Sequence, residues 1–366
     1  MYNPNIARLL EMLSYARPAD SPTTADWEAR YLLTLPGAWR DTFGNIHVEI
    51  GADSRVLWSA HTDTVADFGG RQTLHVSPDR SVVQLSRKSR KSRNCLGADN
   101  TAGVWILTEM IGASVPGHYV FHYAEERGGI GSSDLAHHHG SWLRDRFDYA
   151  IAFDRRGTSE VITHQGCGRC ASDSAGSALA DLLAPLEYAI SDGGIFTDTA
   201  NYADDIPECF NLSAGTAHEH RPTESLDLVH VGALARRMVA IGAEVGSIPV
   251  VRERGDYDYA VYVTSDRYYG SLPRSETLAG FTTDHVETVP LTDDDRIYLS
   301  RDYARVQKAL AGSDSMFESW CDDCGARYSA DWSDSAGLCD DCYDDRLERM
   351  AEKCRVELAE QAKRRA

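Results

Sequence analysis

One short stretch decides the fold: residues 55–63 read RVLWSAHTD. Its first part, Arg55 to Ala60, has the length and the apolar character of a short buried strand. His61 and Asp63 follow at the end of that strand. An apolar strand that ends directly in side chains capable of chemistry indicates a sheet with a functional site at its edge.

The same pattern recurs further along the chain. Tyr119 to Tyr123 is predicted to form a strand, and Glu125 and Glu126 lie just past its end. Tyr149 to Phe153 is predicted to form another strand, which ends at Asp154. An acidic side chain at the end of a buried run needs a partner, so these positions are candidates for chemistry.

Apolar helical stretches alternate with these strands. One follows Asp99, another surrounds Leu135, and a long one is predicted from Leu226 to Val245, after a strand at Pro207 to Leu212. This alternation predicts an α/β fold with a mostly parallel central sheet flanked by helices. In such sheets, sites form beyond the carboxyl ends of the strands, where most of the polar segments fall.

Five short segments together supply the side chains of a two-zinc site. They are residues 61–63 (HTD), 96–100 (LGADN), 125–126 (EE), 153–155 (FDR) and 220–224 (HRPTE). Two zinc ions about 3.5–4 Å apart need a bridging carboxylate, end ligands of His, Asp or Glu, and a free carboxylate that handles protons. The five segments contain one residue for each of these tasks.

The first two segments each contain a predicted zinc ligand, and the first also contains a residue that supports its ligand. His61 would bind one zinc ion, and Asp63 would accept the other ring N–H, which fixes the tautomer. Asp99 follows two small residues, Gly97 and Ala98, which let the backbone approach a metal cluster. Asp99 would then bridge the two ions, although an N-cap for the following helix is the alternative.

The later segments leave more than one assignment open. Glu125 and Glu126 point in different directions at a strand end, so one can bind zinc while the other faces the substrate water. Two like charges side by side are costly unless a metal balances them. Asp154 is the late acidic ligand. His220 is the late histidine, and His218, two residues earlier, competes with it.

In this order, the segments resemble the zinc-dependent exopeptidase superfamily with two co-catalytic metals, over roughly Asp41 to Val245. The chain is more similar to the compact aminopeptidase branch than to the branch that inserts a dimerisation domain of about 100 residues. Only about 65 residues separate Asp154 from His220. Residues 220–224 resemble the family's His-Thr-Pro-x-Glu segment, with Arg221 in place of the usual Thr.

The resemblance implies a role for each side chain of the centre. By this resemblance, His61 and Asp154 bind one metal ion, and Glu126 and His220 bind the other. Asp99 bridges the two ions, and Glu125 is the general base. The resemblance also implies that residues 192–198 (DGGIFTD) form a substrate-pocket loop, for which a surface turn is the alternative.

The carboxy-terminal part carries a separate signal. Cys321 and Cys324 form one CxxC pair, and Cys339 and Cys342 form a second at zinc-ribbon spacing. Four thiolates make a closed structural zinc site, so we expect three zinc ions per chain, two catalytic and one structural. The expected domains are 1–248 (catalytic), 249–318 (a polar extension without an assigned role) and 319–366 (ribbon and terminal helix).

Bulk properties narrow the classes of partner and compartment. The net charge of -19 argues against a general nucleic-acid binder or a membrane-surface protein, and acidic residues around the ribbon favour a protein contact or a fold staple. No apolar stretch approaches the roughly 18 residues of a membrane span, and the amino terminus lacks a signal-peptide pattern. Zinc-spaced cysteines fit a reducing cytoplasm.

The sequence therefore predicts a cytoplasmic two-zinc metallopeptidase, an aminopeptidase that hydrolyses peptide amide bonds with Glu125 as general base. One alternative is the same site acting on N-acyl amino acids or similar amides. The other is a catalytically inactive scaffold or binding protein that uses the zinc ribbon. Every ligand position and the base are filled, which counts against the inactive scaffold.

Overall fold

The computed structural model describes residues 2–166 and 168–253, and the backbone of Glu318–Trp320 and Arg327–Ser329. The α-helices in these residues are α1 (Ile6–Leu13), α2 (Pro22–Tyr31), α3 (Ala98–Gly112), α4 (Ile130–Arg146), α5 (Asp173–Leu182) and α6 (Leu228–Ile241). The strands are β1 (Tyr15–Ala16), β2 (Trp39–Arg40), β3 (Ile46–Ile50), β4 (Val56–His61), β5 (Gly70–Arg71), β6 (Leu74–Val76), β7 (Val82–Leu85), β8 (Gly117–His122), β9 (Tyr149–Arg155), β10 (Glu160–Ile162), β11 (His164–Gln165), β12 (Gly168–Arg169), β13 (Ala189–Ser191), β14 (Glu208–Ser213), β15 (Thr216–Ala217), β16 (Ser225–Asp227), β17 (Glu318–Trp320) and β18 (Arg327–Ser329).

An eight-stranded sheet forms the centre of the first part of the chain, in the order β13-β10-β14-β9-β4-β8-β3-β2. Its middle strands β14, β9, β4 and β8 are parallel to one another. Both flanks contain antiparallel pairs, β10 with β14, β8 with β3, and β3 with β2. The sheet is therefore mixed, and the expected parallel arrangement holds for its middle.

Short connections explain the antiparallel pairs. Residues 156–159 are too few for a helical crossover, so β10 runs opposite to β9 and therefore to β14, which is parallel to β9. Short loops at residues 41–45 and 51–55 likewise make β3 antiparallel to β2 and to the direction shared by β4 and β8. The parallel middle strands are linked through helices instead. The predicted α/β class with a central sheet flanked by helices is confirmed, and its parallel middle is the part that positions the site.

Helices cover both faces of the sheet because side chains alternate along each strand. On β4, Trp58 packs into the core cluster that includes α1, α3 and α6, whereas Leu57 packs into a second cluster that includes α4. Trp105 of α3 is fully buried in the first cluster. Burial on both faces fixes the strand ends, and with them the residues that follow.

The loop that contains His220 lies between two paired strands. β15 and β16 pair antiparallel, and β16 also pairs with β7 in a four-stranded sheet. The expected long helix is α6, which begins only at Leu228 because Asp227 caps it and residues 225–227 form β16. Residues 218–224 are therefore a hairpin loop with both ends anchored.

The chain divides into two compact units between Tyr262 and Val263. In the second unit, β17 and β18 pair antiparallel. The four cysteines of the predicted ribbon and residues 254–317 of the predicted extension lie outside the described residues. The structural zinc and the three domain limits stay predictions.

Candidate metal centre

The ligand-bearing segments meet at the carboxyl edge of the parallel strands. His61 is the last residue of β4, Asp154 lies near the end of β9, and a 3₁₀ turn at Glu125–Arg127 follows β8. β8, β4 and β9 are neighbours in the sheet. Adjacent parallel strands end at the same edge, so their side chains come together there.

Asp99 lies between two histidines. Its Oδ1 is 3.1 Å from Nε2 of His61, and its Oδ2 is 3.3 Å from Nε2 of His220. The preceding Gly97 has a left-handed φ of 73°, and a Cβ there would lie 2.7 Å from Cγ2 of Thr64. This turn therefore requires glycine. Asp99 occupies the position that a bridging carboxylate would take.

The first side of the cluster is built around His61. Its Nε2 lies 3.3 Å from Oδ1 of Asp154 and 3.8 Å from Oε2 of Glu125. Asp154 is held in place twice, because Thr197 Oγ1 donates to its Oδ2 at 2.7 Å and its own N–H donates to Asn211 Oδ1 at 2.9 Å. The side chain that would be a ligand is thus fixed by two neighbouring segments.

The second side is built around His220. Its Nε2 lies 3.2 Å from Oε2 of Glu126 as well as close to Asp99. His218 and His220 both have positive φ angles, 57° and 63°, which are uncommon for residues other than glycine. Such backbone strain concentrates at functional sites. Both histidines are exposed, but only His220 reaches the carboxylates of Asp99 and Glu126.

Asp63 connects the histidine to the paired glutamates. Its two carboxylate oxygens accept the backbone N–H groups of Glu125 at 3.1 Å and Glu126 at 3.3 Å. The Nδ1 atom of His61 lies 3.1 Å from the carbonyl oxygen of Asp63 and 3.4 Å from its carboxylate. The expected support of the His61 ring by Asp63 therefore comes mainly from the carbonyl oxygen, and the carboxylate holds the glutamate turn.

The donor set is one that can hold a metal ion. One ligand atom from each of His61, Asp99 and Glu126 lies within 4.8 Å of the other two. Glu126 Oε1 and Asp154 Oδ1 are buried and have no hydrogen-bond partner among residues 2–166 and 168–253. Buried oxygens without partners are costly, and imidazole with carboxylate is a donor set that suits zinc.

Burial without a cation raises the pKa of the carboxyl groups here. Burial raises the pKa of Asp154 to about 8, with a further contribution from the charge of Asp99. Burial also raises the pKa of Glu125 well above its usual value, and the charges of Asp154 and Asp198 add to this effect. Crowding of buried acids in this way favours a positive charge beside them.

The pKa values of the two histidines are also raised, whereas that of Asp99 is lowered. Burial would lower the pKa of His220, but hydrogen bonds to Asp99 and Glu126 raise it to about 11. Burial likewise opposes the charge on His61, yet the carboxylates of Asp154 and Glu125 raise its pKa well above the usual value. Burial would raise the pKa of Asp99, but hydrogen bonds from the two histidines lower it.

The structure adds a buried cation that the sequence analysis missed. Arg17 is fully buried, and its guanidinium donates to the carbonyl oxygen of Thr62 and to Thr101 Oγ1, both at 2.9 Å. It also lies over the ring of Trp27, 4.1 Å from the centroid. Burial lowers its pKa to about 10. No local pattern could reveal this residue, because its partners lie far away in sequence.

Asp198 is a second residue without a predicted role. Its carboxyl group is fully buried, and burial raises its pKa to about 7. It lies close enough to Glu125 for its charge to raise the pKa of that side chain. Its only signal in the sequence is its place in the 192–198 loop. It directly follows Thr197, and Thr197 contacts Asp154.

Comparisons with known proteins agree with this architecture. No family model matches the chain, and no curated protein matches it. Among solved structures, a tripeptidase from Staphylococcus aureus has a TM-score of 0.54 at 13% identity, over 66% of this chain and 98% of its own. A TET aminopeptidase from a marine sediment archaeon has a TM-score of 0.51 at 12% identity, over 66% and 98%. The aminopeptidase PepT from Bacillus cereus has a TM-score of 0.50 at 13% identity, over 66% and 97%.

At these identities the likeness concerns the fold. The chain shares the architecture of solved peptidases that include aminopeptidases. Within the described residues, no helix is both long enough and apolar enough to span a bilayer.

Proposed function

We propose that this chain is a two-zinc aminopeptidase that hydrolyses peptide amide bonds. The observation that carries the proposal is the position of Asp99, whose two oxygens face Nε2 of His61 at 3.1 Å and Nε2 of His220 at 3.3 Å. A carboxylate between two histidines is the geometry that a bridged metal pair needs. Similarity of fold to solved aminopeptidases supports the choice of reaction.

The proposed ligands divide between two metal positions. His61 and Asp154 would hold one zinc ion, Glu126 and His220 would hold the other, and Asp99 would contribute to both. Zinc ions bound there would polarise the scissile carbonyl group and lower the pKa of the attacking water to about 7. Oε1 of Glu126 and Oδ1 of Asp154, which accept no hydrogen bond from the described residues, would then be available as ligand atoms.

Glu125 acts as the general base. Its Oε2 lies 3.8 Å from Nε2 of His61, and the backbone hydrogen bond to Asp63 fixes the start of its side chain. Glu125 accepts the proton of the attacking water and later delivers it to the amine that leaves. Asp63 supports this step by holding the turn that contains the base.

Apolar side chains next to the centre define the substrate class. Ile130 and Phe196 are exposed by 37% and 38%, although both are large and apolar. A Cβ at Gly129 would lie 2.7 Å from Cζ of Phe196, so the ring lies on the turn that follows Glu125. Thr197, the next residue, contacts Asp154. We propose that these side chains bind a bulky apolar residue at the amino end of the peptide.

The carboxy-terminal cysteines complete the proposal. Cys321, Cys324, Cys339 and Cys342 bind one structural zinc ion in a ribbon, which stabilises this part or contacts a protein partner. The antiparallel pairing of β17 with β18 supports this reading, because the first cysteine pair lies between these strands in sequence. The proposed compartment is the cytoplasm.

A two-panel assay tests the proposed reaction. Purified full-length protein is offered aminoacyl amides and short peptides in one panel, and N-acyl amino acids in the other. We expect hydrolysis in the peptide panel, loss of activity with a chelator and recovery with added zinc. Activity confined to N-acyl amino acids would favour the deacylase, and zinc-loaded protein without activity on either panel would favour the inactive scaffold.

A further inference from the structure

Glu224 is a fully buried carboxylate that accepts hydrogen bonds from the backbone that leads to Asp99. Its Oε2 accepts the N–H of Leu96 at 2.8 Å and the N–H of Gly97 at 2.9 Å, and its Oε1 accepts the N–H of Asp99 at 3.0 Å. Three backbone donors therefore share the two oxygens of one buried carboxylate.

Few other hydrogen-bond acceptors are available to these three backbone N–H groups. They lie at the start of α3, where the first N–H groups of a helix have no partner inside the helix. Gly97, at the N-cap, offers no side chain, and Asp99 itself has a non-helical ψ of 106°. The loop that presents Asp99 therefore depends on an acceptor from another segment, and Glu224 is that acceptor.

The acceptor comes from the loop that also carries His220. Only three residues separate His220 from Glu224, and His220 approaches Oδ2 of Asp99 at 3.3 Å. The two loops thus contact each other twice, once through His220 and Asp99 and once through the hydrogen bonds to Glu224. On the other side, Thr101 Oγ1 donates to the carbonyl oxygen of Gly97 and accepts from Arg17.

We infer that Glu224 is a positioning residue of the proposed metal centre: it sets the place of Asp99 relative to His220, and so the spacing of the two metal positions. The inference rests on the proposed function, since it concerns ligands of that centre. Glu224 acts through the backbone and touches neither substrate nor metal. Loss of an outer partner of this kind typically weakens metal binding about 10–100-fold.

The chain provides a matched control in Glu208. This glutamate is also fully buried and accepts three backbone N–H groups, from Ser172 at 2.7 Å, Val251 at 2.8 Å and Arg252 at 2.9 Å. It lies at the first residue of β14, the end of the strand away from the carboxyl edge. Glu208→Gln therefore disturbs a similar set of hydrogen bonds far from the metal centre.

The test measures zinc affinity of the full-length protein by competition with a graded series of chelators. The ions of the centre are those that a protein with both His61→Ala and His220→Ala lacks. We expect about 10–100-fold weaker binding at the centre in Glu224→Gln, and unchanged binding in Glu208→Gln. Thermal unfolding of chelator-treated samples shows whether both variants fold. Glu224→Asp, which keeps the charge and shortens the side chain, should also weaken binding if Glu224→Gln does not fold.

The outcomes separate this inference from the proposed function. Unchanged zinc affinity in the Glu224 variants, beside an unmodified protein that binds zinc at the centre, would overturn the inference alone. Equal weakening in Glu208→Gln would overturn it too, because the effect would then come from general destabilisation. An unmodified protein that binds no zinc at His61 would overturn the inference and the proposed function together.

Discussion

Asp63 accepts the backbone N–H of Glu125, with the nitrogen 3.1 Å from its Oδ1. This hydrogen bond fixes the turn at which the two adjacent glutamates separate. Glu125 Oε2 then lies 3.8 Å from Nε2 of His61, while Glu126 Oε2 lies 3.2 Å from Nε2 of His220. Neighbours in sequence thus reach opposite sides of the cluster, and we predict different results when each is replaced.

The first prediction compares Glu125→Gln with Glu126→Gln. Glu125→Gln should keep both metals of the centre and lose about 10²–10⁴ in rate, because an amide of the same shape cannot accept the proton of the water. Glu126→Gln should lose one metal ion. Zinc analysis beside turnover rates checks both. Swapped results would reverse the assignment of base and ligand.

The second prediction concerns the two histidines of the 218–224 loop. His220→Ala should remove one metal and the activity together, because His220 lies 3.2–3.3 Å from Glu126 and Asp99. His218→Ala should retain both metals and change at most the affinity for substrate. Zinc content and Michaelis parameters distinguish the variants. A zinc-depleted His218→Ala protein beside a fully loaded His220→Ala protein would contradict the assignment.

The third prediction is the total metal content. Full-length protein at full occupancy should hold three zinc ions, and Cys321→Ser with Cys324→Ser should hold two, with activity retained. The reason is that the cysteine set and the His61 centre share no ligands. Elemental analysis of the purified proteins measures both values. A single zinc ion in metal-replete unmodified protein would rule out the co-catalytic pair.

The fourth prediction is the pH dependence of the metal-free protein. Asp198, Asp154 and His220 have raised pKa values of about 7, 8 and 11. A group with a raised folded pKa holds more protons in the folded state, so stability falls as pH rises through the interval between the unfolded and folded values. His118 has a lowered pKa of about 3 and the opposite sign, but its effect is complete by its unfolded value of 6.5.

The melting temperature of chelator-treated protein should therefore fall between pH 6.5 and pH 8. Added zinc replaces the protons, so the stabilisation by zinc should increase over the same range. Asp154→Asn removes one of the titrating groups and should reduce the decrease. If the melting temperature of the chelator-treated protein rose with pH instead, the acidic side chains would not lie together as described.

The fifth prediction concerns substrate preference. Phe196→Ala should reduce kcat/KM about tenfold for substrates with an amino-terminal Leu or Phe, and much less for Gly, because apolar contact with the side chain is lost. Val229→Ala is the control, since Val229 is 62% exposed on α6. Equal losses for Leu and Gly substrates in Phe196→Ala would argue against a role in selection.

Local sequence patterns predicted the strand-end residues well. His61 and Asp154 end apolar runs, and Glu125 follows one, so periodicity alone placed them at one edge. The choice of His220 over His218 depended on a resemblance. The structure brings His220 to Asp99, which agrees with that choice, although its role as a ligand stays a prediction.

Long-range contacts could not be predicted in the same way. The partners of Arg17 include Thr101, 84 residues away, and those of Glu224 include Leu96, 128 residues away. Such contacts depend on how the elements pack, which no local pattern encodes. The antiparallel flanks of the sheet were missed for a related reason, since the periodicity of a strand does not give the direction of its neighbour.

Arg17 supplies a positive charge near the centre that does not depend on the proposed metal ions. Its guanidinium forms hydrogen bonds with neutral oxygen atoms of Thr62, Thr101 and Tyr15, so its charge acts through space on nearby acids such as Asp63 and Glu224. A chelator removes zinc but not this charge. The protein therefore keeps a buried positive charge near Asp63 and Glu224 whether or not the proposed ions are bound, and this charge reduces the repulsion among the acids.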